Sequence, residues 1–420
     1  MRNTGKFNGR KILVVGLARS GIACANLLFD LGAEVSVTDD KDDPAIRDNA
    51  KKLKSGRVKL ELGKHTKEFV KGNDLLIISP GVTNNAPCVV WAQELNIPVI
   101  SEIEFAWMLC PGEIIAVTGS NGKTTVTTLI GRILEKAGKR VFVCGNIGNP
   151  FSGEVEKIRE GDFVSLEVSS FQLERIKDFK PKVAVMLNFT PNHLDRHLDM
   201  QEYLDAKKRI FMNQDASDFL IINSEDPVLV KVAKETSSKV VIFKRSESLN
   251  PNQAAVLAVG EILGVEKDLA KEVLLEFKGL EHRMELVSEI RGVKFINDSK
   301  ATTVESAIWA FKDINTRVIF IAGGRHKEVD YRPIRPLVKE KAREVILIGE
   351  ASPIIKEALS GCTVISEVGS LDEAVKRASL SASPGDTVLF SPMCSSFDMF
   401  TNYEERGKAF KKAVSKLKGI

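Results

Sequence analysis

A glycine-rich turn followed by a lysine and two hydroxyl residues is the part of the chain that points most directly to chemistry. Residues 114–128 read IIAVTGSNGKTTVTT, an apolar run, a turn and then a helix-like segment. Glycines let backbone N–H groups converge on phosphate oxygens, a lysine supplies a positive charge, and the next hydroxyl can reach Mg²⁺. We therefore predict a nucleoside triphosphate site that consists of Gly119, Ser120, Asn121, Gly122, Lys123, Thr124 and Thr125.

The spacing of this turn is shorter than the common phosphate-binding pattern G-x-x-x-x-G-K-[ST]. Counting back from Gly122, that pattern requires a glycine at position 117, where this chain has Val117, and the first glycine is instead Gly119. A plain glycine-rich turn between a strand and a helix is the alternative. The apolar lead-in and the Lys-Thr-Thr run favour the phosphate site.

A second glycine turn, GLARSG at residues 16–21, also follows an apolar run and opens a helix-like segment. Asp39 and Asp40 follow about 20 residues later, as in the dinucleotide fingerprint G-x-G-x-x-G, although Ala18 replaces the middle glycine. Helix N-terminal amides can hold a diphosphate, and an acidic residue can bind a ribose hydroxyl. An NAD site, a nucleotide-sugar site and a tight turn without a ligand all remain open on these grounds.

Several side chains of the middle region could hold a metal ion near the phosphates. Glu167 ends an apolar run and offers a carboxylate for Mg²⁺, with a surface glutamate as the alternative. His193 and His197 lie four residues apart, like zinc-binding pairs, but Leu194 stands where a zinc hydrolase needs glutamate. A single metal-facing His193 is the better interpretation. Lys207 lies on a predicted helix, where a lysine is ordinarily a solvated side chain.

Polar turns also end three apolar runs in the last third of the chain. They contain hydroxyl, amide and lysine groups that would suit an amino-acid carboxylate. These turns are residues 297–302, 323–331 and 391–398.

Short apolar runs that alternate with helical segments must position all of these groups. Such runs are typical of parallel strands covered on both faces, and ligands of open α/β sheets bind at the carboxyl ends of the strands. We therefore predict three successive α/β domains, with a helical run over 253–278 between the second and the third. The predicted strands are 11–16, 34–40, 74–81, 97–101, 114–117, 140–148, 162–170, 183–190, 218–226, 293–299, 317–324, 344–349, 362–366 and 386–392.

Composition restricts the class of protein. A chain of 420 residues suggests two to three domains at about 100–200 residues each, and 60 basic against 56 acidic residues leave a net charge of only +4. No block of like charge predicts a nucleic-acid or membrane-binding arm, and no apolar stretch is long enough for a spanning helix. Six scattered cysteines without a C-x-x-C pair favour reduced thiols in a cytoplasmic protein.

Taken in order, the motifs resemble the Mur ligase family, whose members are ATP-dependent amide-forming ligases of peptidoglycan assembly. The matching segments are GSNGKTT, LEVSSFQLE, NHLD, YLDAK, GLEHR and NDSKAT, and they cover essentially the whole chain. The GLARSGIA start, the Asn146-Ile147-Gly148 step and the SPMCSSFDMF tail are most similar to the member that adds D-glutamate, and the D-N-P-R signature of the diaminopimelate-adding relative is absent.

The resemblance implies a Rossmann-like UDP-sugar-binding domain over 1–108, a central P-loop ATPase-like domain over 109–284 and a Rossmann-like amino-acid-binding domain over 285–420. It implies a cytoplasmic, monomeric enzyme that adds D-glutamate to UDP-N-acetylmuramoyl-L-alanine through an acyl phosphate, with ATP and two Mg²⁺ sites. Neither nucleic acid nor membrane insertion is expected.

The resemblance also implies roles for individual residues. In the catalytic and metal-binding set, Lys123 would bridge the β- and γ-phosphates, Thr124, Glu167 and His193 would face metal, and Lys207 would carry a carbamate. Outside the phosphate loop, ATP would contact Asn252, His282, Arg283, Asp298 and Lys300. The UDP-sugar would contact Arg19, Ser20, Asp39, Ser79, Gly81 and Asn146. The incoming amino acid would contact Thr302, Lys327, Ser396 and Phe397. Arg325 and His326 depart from the family pattern, which has smaller or acidic residues before this lysine, and they would add positive charge there.

Other function classes make different predictions. An oxidoreductase would bind a nicotinamide cofactor at the first glycine turn, but it leaves the Lys-Thr-Thr loop without a role. A nucleotide-gated binding protein does not need the polar turns of the last region. A folate-polyglutamate ligase is the nearest rival, but its first domain would not precede the phosphate loop as GLARSGIA does here.

Overall fold

The computed structural model of the chain describes residues 1–54, 56, 58–191, 196–277, 279–326 and 329–417. It divides into two compact units, Met1–Glu276 and Phe277–Ile420. The described residues form three sheets, two in the first unit and one in the second. The predicted class of successive α/β domains is therefore confirmed, whereas the boundaries at 108 and 284 stay predictions.

The first sheet is fully parallel, in the order β3-β2-β1-β4-β5. Its central strands carry apolar side chains that are buried on both faces, as a helix-covered parallel sheet requires. The strands are β1 (Lys11–Val15), β2 (Glu34–Asp39), β3 (Lys59–Leu62), β4 (Leu75–Ile78) and β5 (Val99–Ser101). The helices are α1 (Arg19–Asp30), α2 (Pro44–Ala50), α3 (Lys67–Val70), α4 (Pro87–Glu94) and α5 (Glu102–Leu109).

The second sheet is also parallel, in the order β11-β10-β9-β6-β8-β7. Its strands are β6 (Glu113–Thr118), β7 (Val141–Gly145), β8 (Phe163–Glu167), β9 (Val183–Met186), β10 (Phe219–Asn223) and β11 (Lys239–Phe243). Its helices are α6 (Lys123–Lys136), α7 (Phe151–Glu154), α8 (Ser170–Leu173), α9 (Met200–Lys208), α10 (Pro227–Val232), α11 (Pro251–Ile262) and α12 (Lys267–Glu276).

The second unit contains a mixed sheet in the order β12-β13-β17-β14-β15-β16. Its strands are β12 (Glu285–Ile290), β13 (Val293–Asn297), β14 (Val318–Gly323), β15 (Ala342–Ile348), β16 (Val364–Glu367) and β17 (Thr387–Phe390). Its helices are α13 (Val304–Asp313), α14 (Arg335–Lys341), α15 (Ser352–Ala358), α16 (Leu371–Ser381) and α17 (Tyr403–Lys416). Apolar clusters pack on both faces of this sheet.

Two local predictions were wrong. The helical run over 253–278 is broken between α11 and α12, where Gly264 adopts φ of +70° and ends the first helix. The strict strand–helix alternation fails at β12 and β13, which form an antiparallel hairpin. Arg291 and Gly292 connect these strands with φ of +51° and +74°, the backbone of a two-residue hairpin turn.

The predicted polar turns do lie at the carboxyl ends of strands. Those of the first sheet follow β1, β2 and β4, those of the second follow β6, β7 and β8, and those of the second unit follow β13, β14 and β17. None of the described helices is long and apolar enough to cross a membrane.

Candidate functional site

The phosphate loop connects β6 to α6 through Gly119–Gly122, and both glycines are required by its geometry. Gly119 and Gly122 adopt φ of +152° and +83°, in the region that side chains disfavour. The loop is held from outside by Asn188, whose side chain accepts from the Asn121 N–H at 2.8 Å and donates to the Asn121 carbonyl at 3.1 Å. The short loop is therefore a fixed turn that opens a helix of 14 residues.

Ser120 fixes the other side of the loop. Its hydroxyl donates to the Thr190 carbonyl at 2.9 Å, accepts from the Thr190 N–H at 2.9 Å, and lies 3.3 Å from the hydroxyl of Tyr203. Tyr203 is a buried residue of α9. The phosphate loop is thus attached to the same helix that carries Lys207.

Two lysines meet at the first carbonyl of the loop. The Nζ of Lys123 donates to the carbonyls of Gly119 and Ser120 at 2.8 and 3.0 Å, and the Nζ of Lys207 donates to the Gly119 carbonyl at 3.0 Å. Lys207 is 1% exposed. Burial, and secondly the charge of Lys123, lower the pKa of Lys207 well below its usual value. The protonation equilibrium of Lys207 is therefore shifted toward the neutral amine.

Glu167 ends β8 beside the phosphate loop. The parallel register pairs it with Val117 of β6 on one side and with Gly145 of β7 on the other. Its Oε1 accepts from the side-chain amide of Asn146 at 2.8 Å, whereas its buried Oε2 has no hydrogen-bond partner among the described residues. A buried carboxylate oxygen in this state is costly unless a cation occupies the site.

The donor set therefore fits Mg²⁺, because hard oxygen ligands are what this ion prefers. Glu167 offers the buried oxygen, and the Thr124 hydroxyl lies on a residue that is 5% exposed at the start of α6. Among the described residues, no three histidine, cysteine, aspartate or glutamate side chains form a metal cluster. Two predicted residues, His193 and Lys327, lie outside the described residues.

Asn252 is a predicted ATP-binding residue that contacts the phosphate loop although it lies far from it in sequence. A Cβ placed on Gly122 would lie 2.5 Å from the Oδ1 of Asn252, so the two residues are in direct contact. Asn252 stands in the first turn of α11, whose N-terminus is closed by a capping box between Asn250 and Gln253. The capped helix therefore presents Asn252 to the loop.

The predicted UDP-sugar residues line one cavity of about 620 Å³ in the first unit. One wall comes from the ends of β1, β2 and β4, and the other comes from the segments after β7 and in α8. All six predicted residues lie on it, namely Arg19, Ser20, Asp39, Ser79, Gly81 and Asn146.

Asp39 has a structural role in this cavity. Its two carboxylate oxygens accept from the backbone N–H groups of Leu17 and Lys41, at 2.6 and 3.0 Å. Glycine is required at position 21, since a Cβ there would lie 1.8 Å from the carbonyl of Gly16. Through its two hydrogen bonds, Asp39 holds the turn before α1. A ribose hydroxyl bound here would therefore share the Asp39 carboxylate oxygens with these backbone N–H groups.

Other cavity residues were not singled out by the sequence. His65 lines the cavity with its Nδ1 2.8 Å from the hydroxyl of Thr38, and Gln172 lines the opposite wall. Arg196 donates to the carbonyl of Val82, a lining residue, at 2.8 Å and stacks over Phe171. The sequence around these residues did not indicate a role in the cavity. Their positions at the cavity depend on the packing of loops that are distant in sequence.

The second unit engages two of its predicted ATP-binding residues in internal hydrogen bonds. His282 is 3% exposed, and its Nδ1 accepts from the side-chain amide of Asn297 at 2.9 Å, while burial lowers its pKa. Asp298 accepts from the Ser391 hydroxyl at 2.8 Å and from the Met284 N–H at 3.2 Å. Burial raises the pKa of Asp298 to about 6.

The remaining predicted residues of this unit are distributed over three loops. Arg283, Lys300 and Thr302 are half-buried, and the Lys300 ammonium lies 5.7 Å from the centre of the Tyr403 ring. Ser396 is buried, whereas Phe397 is 62% exposed. Phe397 is therefore the predicted amino-acid contact with an open apolar face.

The charged residues that precede Lys327 have partners of their own. Arg325 forms an ion pair with Glu350, with 3.4 Å between the Nε and Oε2 atoms, and both side chains are more than half exposed. The Nδ1 of His326 lies 3.2 Å from the hydroxyl of Tyr331. The pairing with Glu350 offsets the extra positive charge that the sequence placed at this position.

These features define a class of protein: an α/β enzyme with a phosphate-binding loop and a second nucleotide-type cavity in the same unit. Comparison with known proteins makes the class specific, because residues 10–101, 117–289 and 282–394 match the Mur ligase MurD-like N-terminal domain, the Mur ligase middle domain and the Mur ligase glutamate ligase domain. The chain belongs to the Mur ligase family.

Curated relatives are similar along nearly the whole chain. UDP-N-acetylmuramoylalanine–D-glutamate ligase of Thermoanaerobacter pseudethanolicus is 38% identical over 452 aligned positions, which cover 98% of this chain and 100% of the relative. The protein of the same name from Geotalea uraniireducens is 41% identical, with 97% and 98% covered. The structure of the MurF ligase of Thermotoga maritima with ADP has a TM-score of 0.60 at 17% identity, with 99% and 97% covered, and supports the fold. The predicted family is confirmed.

Proposed function

We propose that the protein joins D-glutamate to UDP-N-acetylmuramoyl-L-alanine in an ATP-dependent reaction. The observation that carries the proposal is the cavity of about 620 Å³ that gathers the expected UDP-sugar residues in the same unit as the phosphate loop. The names of the curated relatives support the choice of acceptor and amino acid. The reaction would take place in the cytoplasm, by a monomeric enzyme.

The chemistry would run in two steps. The acceptor carboxylate attacks the γ-phosphorus of ATP, the bond to the β-phosphate oxygen breaks, and ADP leaves an acyl phosphate behind. The amine of D-glutamate then attacks the acyl carbon, loses a proton and displaces phosphate, which completes the amide. Such transfers depend mainly on positioning and on neutralising charge on the moving phosphoryl group.

The residues of the phosphate loop suit the first step. The backbone N–H groups at the start of α6 would hold the phosphates, and the Lys123 ammonium would turn from the loop carbonyls to the β- and γ-phosphates. Asn252 would contact the nucleotide from the far side of Gly122. Bound Mg²⁺ would neutralise phosphate charge, and Glu167 and Thr124, with His193, would hold it.

Lys207 would act as a carbamate. Its neutral amine attacks the carbon of CO₂ and loses one proton, which converts a neutral group beside the loop into an anion. Because burial and Lys123 lower the pKa of Lys207, the reactive neutral form is favoured. The carbamate would bind a second Mg²⁺ and would place a negative charge beside the Lys123 ammonium.

In the second unit, we propose that His282, Arg283, Asp298 and Lys300 contribute to ATP binding. The incoming amino acid would contact Thr302, Lys327, Ser396 and Phe397. The exposed ring of Phe397 and the buried hydroxyl of Ser396 supply an apolar and a polar contact on adjacent residues.

An ATP-dependent phosphate-release assay tests the proposal. Phosphate and ADP should form only with the UDP-linked acceptor, and amide should form only when D-glutamate is added. A panel of D- and L-amino acids, including lysine because of the charge at Arg325, measures selectivity. Amide formation without ATP, or saturable binding of NAD(H) in place of ATP, would contradict the assignment.

A further inference from the structure

Helix α5 connects the two sheets of the first unit and carries two buried glutamates. Glu102 and Glu104 are each 1% exposed, although they occupy the first turn of a helix of eight residues. A buried carboxylate is stable only where hydrogen-bond donors replace its hydration. The donors to both side chains come from the second sheet's side of the unit.

Glu104 accepts hydrogen bonds from three successive backbone N–H groups. Those of Lys177, Asp178 and Phe179 lie 2.9 Å from its two oxygens. Three donors on one carboxylate form a strong charge-assisted clamp. The clamped segment follows α8, whose Gln172 lines the UDP-sugar cavity.

Two residues between α8 and these amides, Glu174 and Arg175, bond to the opposite wall of the cavity. The Arg175 Nε donates to the Asn84 Oδ1 at 2.6 Å, and the Asn84 amide donates to Glu174 at 2.6 Å. Asn84 follows directly after Thr83, which lines the cavity. Glu104 therefore fixes a segment that contacts both walls.

Glu102 fixes a second part of the cavity wall. Its Oε1 accepts from the Ser152 N–H at 2.6 Å, inside the first turn of α7. That helix begins directly after Pro150, which lines the cavity together with Asn146 and Gly148. Burial raises the pKa of Glu102, and its Oε2 has no hydrogen-bond partner among the described residues.

The relative position of the two cavity walls must be fixed, because the walls come from different sheets. Gly16, Ser79 and Gly81 belong to the first sheet's loops, whereas Asn146 and Gln172 belong to those of the second. A ligand that spans both walls loses contacts when the sheets shift by a fraction of an ångström. The phosphate loop lies within the second sheet's loops alone and is held by Asn188 and Ser120 instead of by α5.

We propose that Glu102 and Glu104 are positioning residues that hold the two walls of the UDP-sugar cavity in register, so that acceptor affinity, rather than ATP affinity, depends on them. This inference rests on the proposed function for the nature of the acceptor. The bonding of α5 to the segments 151–154 and 177–179 is a property of the chain itself and can be measured independently.

The test compares Glu104→Gln, Glu102→Gln and the control Glu113→Gln in the full-length chain. Glutamine at 104 keeps the side-chain shape but turns an N–H donor toward backbone N–H groups, so we expect the KM for the UDP-linked acceptor to rise about tenfold. The KM for ATP should stay within about twofold. Glu102→Gln keeps one acceptor oxygen for Ser152, so a smaller rise of about threefold is expected.

Hydrogen exchange supplies the readout that does not require turnover. The amides of 177–179 should exchange at least about tenfold faster in Glu104→Gln, and the Ser152 amide should exchange faster in Glu102→Gln. Glu113 is exposed at the start of β6, and its replacement should change neither exchange nor KM. If Glu104→Gln does not fold, the Glu102→Gln data decide.

Equal rises in the KM for ATP and for the acceptor, or faster exchange with an unchanged acceptor KM, would overturn the positioning role. An acceptor that the wild-type enzyme does not use at all would instead overturn the proposed function. In that case the affinity for UDP alone, measured by calorimetry on the same variants, decides the positioning role. Weakened UDP binding by the variants would support it, and unchanged binding would refute it.

Discussion

The second sheet of the first unit and the sheet of the second unit both end their parallel strands in polar turns, but they use those turns differently. Around the phosphate loop, a buried Glu167 oxygen lacks a hydrogen-bond partner among the described residues, and two lysines crowd one carbonyl. In the second unit, the His282 ring accepts a hydrogen bond from Asn297, and the Asp298 carboxylate accepts from the Ser391 hydroxyl and from a backbone N–H.

A polar turn at the end of a strand is therefore not sufficient to define a reactive site. Hydrogen bonds within the fold satisfy the side chains of His282 and Asp298 and so make these two residues rigid supports. Unsatisfied charge in a low-dielectric setting raises the free energy of the phosphate site, and binding of an anion with its cations lowers it. We therefore expect substitutions near the phosphate loop to change catalysis, and those at Asp298 to change stability in addition to the proposed ATP contact.

The largest effect is expected for Lys123→Ala. Removal of the charge that neutralises the transferring phosphoryl group should cost at least about 3 kcal/mol of transition-state stabilisation, or more than 100-fold in kcat. Steady-state phosphate release measures it. The control is Lys136→Ala at the other end of α6, where the lysine forms an exposed ion pair with Glu272 and its loss should leave kcat unchanged. A Lys123→Ala rate near that of the wild type would contradict the expectation that substitutions at the phosphate loop change catalysis.

Lys207→Arg should lower kcat by about 100-fold, because arginine stays charged and cannot form a carbamate. The adjacent Lys208 is the matched control. It pairs with Glu235 and Asp205, and the hydrogen bond to Glu235 raises its pKa, so it should remain an ammonium. With ¹³C-bicarbonate, a carbamate carbon signal should appear in the wild type and in Lys208→Arg and vanish in Lys207→Arg. A signal that survives in Lys207→Arg would refute the assignment.

Asp298→Asn should reveal a pH-dependent penalty in the second unit. Burial raises the pKa of Asp298 from 3.8 to about 6, so between these values the folded state binds more protons than the unfolded state. Stability from this group is lost as the pH rises, by about 2 kcal/mol between pH 4.5 and 7.5. The variant should lack this contribution. Denaturant unfolding at both pH values measures it, and identical pH slopes for variant and wild type would contradict the prediction.

The smallest of these effects is expected for Glu167→Gln, which should raise the Mg²⁺ concentration for half-maximal activity by about tenfold. Glutamine keeps an acceptor for Asn146 but replaces the buried second oxygen by an amide that repels cations. Titration of Mg²⁺ at saturating ATP measures the shift, with Glu113→Gln as the control on the neighbouring strand. An unchanged Mg²⁺ requirement would show that the unpartnered oxygen does not face a metal.

Much of the fold could be predicted because short apolar runs and glycine turns act locally. The strand ends at Gly16, Glu167 and Asn297 were located from pattern alone, and the shortened loop at Gly119 proved to be a fixed turn. The break between α11 and α12 and the β12–β13 hairpin were missed. A helical periodicity continues across a short turn, and a strand's pattern does not reveal the direction of its neighbour.

Residue types at fixed local spacing were sufficient to predict the parallel strands, the phosphate loop and the family. Tertiary packing, by contrast, buries Lys207 against Gly119, 88 residues away, and brings Glu102 and Glu104 to backbone groups on the side of the other sheet. It also brings both carboxylate oxygens of Asp39 to the backbone N–H groups of Leu17 and Lys41. Burial and hydrogen-bond partners arise from segments distant in sequence, so local spacing cannot specify which polar atoms remain available for a ligand.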